Sequence, residues 1–101
     1  MTSPRRSPAA PDIPTLSEAG LPGFEAVSWF ALFAAPGTPK PVADKLSVQV
    51  AEVLKQPDVA KKLSDLGLEP VGSTPDELAR YQQTEIAKWA KVVKESGATV
   101  E

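Results

Sequence analysis

Cysteine and histidine do not occur anywhere in this chain of 101 residues. Disulfides, thiolate nucleophiles, Cys/His zinc sites and imidazole general bases are thereby excluded together. Lack of cysteine leaves the compartment open, because many exported proteins also do without it. An excess of positive charge is missing too: 11 Lys and Arg stand against 13 Asp and Glu, a net charge of −2. A nucleic-acid binder needs a basic face to neutralise phosphates, and Arg5 beside Arg6 does not make one. Nucleic acid is not an expected partner. No run reaches the ~20 apolar residues that cross a bilayer, and the longest, residues 26–36, is broken by Ser28. Phosphate-cradling loops are absent, since between Gly20 and Gly23 the residue Pro22 removes a backbone donor. Asp12, Glu18 and Glu25 are the carboxylates that an acid/base pair would have to use. Such a pair needs its carboxyls about 5–9.5 Å apart, and Glu18 already has a structural role, described below. No catalytic residue, metal site or cofactor is expected.

What is present is a hydrophobic fraction of 42% with 24% charged residues, enough for a packed interior. Residues 1–13 hold three of the eleven prolines and little that packs, which predicts an extended or disordered arm. Thr15 and Glu18 have capping-box spacing, with Gly20 as the stop, so one or two helical turns are expected there. Residues 24–33 are aromatic and β-favouring, and their later half is apolar at almost every position. Continuous apolarity over that length predicts a strand buried on both faces, as in the centre of an α/β sheet. The chain that follows offers little to pair with it.

Helices come next. Thr38 and Pro39 read as the start of one whose stripe is Val42, Leu46, Val50, Val53 and Leu54. Pro57 opens another, with Val59, Leu63 and Leu66 inward and Gly67 at its end. Residues 68–71 read as a short edge strand, because Pro70 cannot donate to a ladder. Thr74 and Glu77 repeat the capping spacing and start a helix that runs to about Ser96. Its predicted stripe is Leu78, Tyr81, Ile86, Trp89, Val92 and Val93, with Glu85 among the lysines of a solvated face. The expected fold class is therefore α/β, mostly helical: one buried strand, one edge strand and three or four helices.

The strings PDIPTLSEAGLPGFE (11–25), WFALFA (29–34) and PGTPKP (36–41) resemble the carboxy-terminal third of the Bug family. These are the TctC-like substrate-binding proteins of tripartite tricarboxylate transporters. LGLEPVG (66–72), TPDEL (74–78) and EIAKWAKVVK (85–94) continue the likeness, which covers roughly residues 5–100. The motifs are individually ordinary, and their order and spacing make the resemblance specific. One departure is FAAPGTP at 33–39, where the family usually reads FAPAGTP; it bears on how the chain leaves the strand.

The resemblance implies a lobe of a periplasmic-binding-protein type II fold, of which residues 14–101 are the carboxy-terminal part. It implies a periplasmic, non-enzymatic protein that holds a small carboxylate solute between two lobes for a membrane permease. It also implies that the loops gripping the solute lie mostly outside this stretch, so capture by this chain alone is not expected. Read from Met1, no export signal precedes the first prolines, which would leave the product cytoplasmic. Ser28, Trp29 and Phe30 are the ligand-cleft or hinge candidates. Against that stand plainer roles: core packing for the two aromatics and a backbone-bonded hydroxyl for Ser28. An unpaired apolar strand at 24–33 also predicts a homodimer paired through it. The rival functions are a stand-alone helical interaction module and a truncated gene product without activity.

Overall fold

The computed structural model describes residues 1–99, so the last two residues of the 14–101 unit lie outside the described residues. Its three α-helices are α1 (Lys40–Leu54), α2 (Pro57–Asp65) and α3 (Pro75–Ser96). Each begins with proline in its first two positions, where the missing N–H has no intrahelical partner to lose. The α2 terminus is a Schellman motif. Leu68 N–H donates to Leu63 C=O at 2.8 Å and Gly67 N–H to Ser64 C=O at 2.9 Å. Gly67 takes the left-handed conformation that this motif requires, φ 76°.

At the start of α3, Thr74 Oγ1 accepts from Glu77 N–H at 3.2 Å, as the capping spacing predicts. Thr74→Ala is expected to weaken α3 by about 1 kcal/mol, and Thr74→Ser by much less. Urea titration of the helical circular-dichroism signal measures both. Thr38 does not cap α1. Its hydroxyl donates backward to Ala35 C=O at 2.7 Å, and Pro39 occupies the cap position without a side-chain bond.

Neither expected strand forms among the described residues. Residues 24–35 are extended but unpaired, and 68–71 are irregular. Strand propensity becomes a strand only when backbone N–H and C=O groups find a neighbouring ladder. Among the described residues no backbone hydrogen bond ties 27–33 to another segment. The α/β expectation is thus corrected to a helical architecture with an extended arm.

The arm runs along α3 in the opposite direction. Lys88 Nζ donates to the Glu25 carbonyl, and about two α3 turns nearer its start Trp29 meets Tyr81 edge-on, ring centroids 5.3 Å apart at 79°. Along 27–32 the exposure alternates, Val27, Trp29 and Ala31 half-buried and Ser28, Phe30 and Leu32 exposed. One face of the arm is covered by α3, whereas both were expected to be buried. Residues 1–26 close on themselves: the Met1 amine donates to Pro14 C=O at 2.7 Å and Ala26 N–H to Thr2 C=O at 2.8 Å. The first turn expected after Thr15 is present as an isolated turn, with Ala19 N–H donating to Thr15 C=O.

Helix α1 packs on α2 and α3 through the side bearing Ala43, Ser47, Ala51 and Leu54. Ser47 Oγ donates to Ser73 C=O at 3.4 Å. A Cβ added to Gly72 would lie 3.4 Å from Ala51 Cβ, so the 70–73 segment passes close over α1. Among the described residues no hydrophobic side chain is buried, and the buried residues are Thr15 and Glu85, at 2% and 6% exposure.

Candidate functional site

The best-formed constellation in the chain lies where the arm crosses α3. Tyr81, Glu85 and Trp89 stand four residues apart and therefore share one face of the helix. Glu85 was expected on the solvated face with the lysines; it is buried, while Ile86 of the expected stripe is exposed. Leu78 and Tyr81 of the expected stripe are half-buried, and beyond them Glu85 takes the inward position in place of Ile86. A carboxylate is tolerated there because Trp89 Nε1 donates to its Oε2 at 2.8 Å. The Tyr81–Glu85–Trp89 spacing was the readable signal for this row.

Lys88, half-buried, holds the arm from the other side. Its ammonium lies 5.5 Å from the Trp89 ring centroid as it donates to Glu25 C=O. An open groove of about 480 Å³ follows this contact, lined by Phe24, Glu25, Lys88, Trp89 and Val92. A second, of about 280 Å³, lies between the end of α1 and Pro70, Val71 and Gly72. Both open broadly to solvent, unlike ligand clefts, which bury most of their occupant.

Burial raises the Tyr81 phenol above its ordinary value, and the carboxylates of Glu85 and Glu25 act in the same direction. The phenol form is favoured by the fold, so this contribution is present below pH ~10 and fades as pH rises through the raised value. Tyr81 is the one tyrosine of the chain. Absorbance titration is expected to show its ionisation displaced upward, and Glu85→Gln should bring the midpoint back toward ~10. A second tuned group is Glu18. It accepts from Thr15 N–H at 3.0 Å and from Arg6 Nε at 2.9 Å, and these bonds, Thr15 first, hold its carboxyl below the usual range. The Thr15–Glu18 capping box closes with Glu18 N–H on Thr15 Oγ1 at 3.2 Å.

Of the three cleft or hinge candidates, Trp29 faces α3, whereas Ser28 and Phe30 project on the opposite side of the extended arm. Phe30 is 84% exposed. The arm therefore does not bring all three together on one surface. Among the described residues no group of acidic side chains has metal-binding geometry, and no helix is long and apolar enough to cross a membrane.

The sequence profile described as tripartite tricarboxylate transporter family receptor matches residues 1–98. A protein encoded in the tcbD-tcbE intergenic region of Pseudomonas sp. strain P51 is 38% identical over 96 residues, covering 94% of this chain and 29% of its own length. The structure of R. palustris Rpa4515 with adipate superposes with a TM-score of 0.80 at 40% identity, covering 95% of this chain and 32% of that one. The periplasmic binding protein BugD superposes with a TM-score of 0.78 at 36% identity, covering 95% and 33%. The chain thus spans about a third of the length of these relatives.

Proposed function

The chain belongs to the tripartite tricarboxylate transporter family of receptors, and from that premise we propose that it is the carboxy-terminal portion of an extracytoplasmic solute-binding protein. This family consists of binding proteins, not enzymes, in keeping with a chain that has neither histidine nor cysteine. The solute it helps to hold is a small carboxylate, passed to a membrane permease. The observation that supports this reading best is the likeness to the R. palustris protein seen with adipate, at 40% identity across 95% of this chain. In this reading the chain contributes part of a lobe and does not capture solute alone. Ser28 and Phe30 are the residues of the arm free to face a cleft or hinge, and Trp29 is the residue that positions them by its grip on Tyr81. The compartment is the periplasm.

A chimera tests the proposal. This chain replaces the matching third of the R. palustris protein, and adipate with its shorter and longer homologues is titrated calorimetrically. Saturable binding of at least one dicarboxylate is expected. A folded, cooperatively melting chimera that binds none of them would refute the reading. A homodimer through residues 24–33 is the competing use of the same bare arm face, on which Leu32 is 79% exposed.

A further inference from the structure

The accessible surface of the chain is 8241 Å², whereas a compact protein of 10.7 kDa exposes about 5500 Å². Its radius of gyration is 16.5 Å against about 13 Å for a compact domain of this length. Large apolar side chains contribute to that excess, many of them on helices. Val42, Leu46, Val50 and Val53 fall within about 80° of one another around α1, and all are exposed. They lie beside the Ala43, Ser47, Ala51 and Leu54 side that packs within the chain. Helix α1 is thus apolar on two flanks, with one of them covered. Ile86 and Val93 repeat the situation on α3, and Phe30 and Leu32 on the arm.

We infer that the bare Val42–Leu46–Val50–Val53 face of α1 is a docking surface for the remaining two thirds of the receptor fold, strong enough to hold that portion as a separate polypeptide. This rests on the receptor reading above. Two observations select the occupant. The excess surface is about 2700 Å² on a single chain, while a standard interface covers about 800 Å² per partner. A second copy would leave most of the excess in water. The structural relatives extend over about three times the length of this chain, with which they share the fold. A bare apolar stripe on a helix whose neighbouring side is packed is what the interior of a divided domain presents, not the surface of a free monomer.

The test uses the intact 101-residue chain joined to the rest of the R. palustris protein through a cleavable linker, so that both parts fold before they are separated. After cleavage the two pieces are expected to co-elute at one-to-one stoichiometry by light scattering. Leu46→Asp with Val50→Asp should weaken reassociation at least thirtyfold, and Glu52→Lys, on the far side of α1, should change it less than threefold. Circular dichroism of each variant chain checks that α1 remains helical. Pieces that separate on cleavage would overturn the inference, as would reassociation indifferent to the α1 substitutions. So would a self-dimer of this chain abolished by the same double substitution. Solute titration of the cleaved complex is read separately: a stable complex without solute binding keeps the docking and rejects the receptor reading.

Discussion

Heated alone, the chain is expected to lose its helical signal over a broad range instead of in one sharp step. Cooperative melting comes from an apolar core that all elements share, and a domain near this length absorbs about 70 kcal/mol on unfolding at its midpoint. Here no hydrophobic side chain among the described residues is buried, so each helix is held mainly by its own backbone hydrogen bonds and by partial contacts along one side. Helices shorter than about 12–15 residues are marginal without tertiary support. Helix α2, nine residues long, should melt first, and the 22-residue α3 last. Calorimetry should show a transition enthalpy well under half of the value for a compact domain, accompanied by binding of a hydrophobic dye at low temperature. A single sharp endotherm of full size would show that the exposed side chains are covered in solution.

Removing the ring of Tyr81 is expected to release the arm. Tyr81→Ala removes the edge-on contact with Trp29, and partial burial of both rings makes the loss about 2 kcal/mol. Phe30→Ala, one position along the arm, removes a side chain that is mostly in water and should change stability by less than about 0.5 kcal/mol. The pair separates an arm seated on α3 from one that merely lies nearby. Limited proteolysis reports it: cleavage within residues 24–35 should accelerate strongly in Tyr81→Ala and not in Phe30→Ala. Equal rates in the two variants would mean that Trp29 does not hold the arm.

The punctuation of this fold is written locally, and so the sequence shows it. Pro57 and Pro75 open helices, Gly67 closes one in a Schellman motif, and Thr74 with Glu77 forms its cap bond. These features depend on one to five neighbouring residues. The strand expected at 24–33 fails for the opposite reason: its β-favouring residues describe a surface that suits a sheet, but a strand also needs a paired backbone, which no segment among the described residues supplies. Burial of Glu85 was hidden because its charge argues for solvent, while its neighbours at four-residue spacing, Tyr81 and Trp89, argue for the interior. The stripe Val42, Leu46, Val50 and Val53 was legible as apolar, and its exposure is a fact about what surrounds α1, which no local pattern encodes. Family membership is carried by the likeness of residues 1–98 and holds without the strand.

Direct calorimetric titration of the isolated chain with a panel of small dicarboxylates and tricarboxylates tests the central claim. The groups described here form two broadly open grooves and leave the apolar flank of α1 in water, so no saturable heat is expected with any of the acids. Saturable one-to-one binding at micromolar concentration by the chain alone would contradict the claim that solute capture belongs to a larger fold of which this chain supplies only a part.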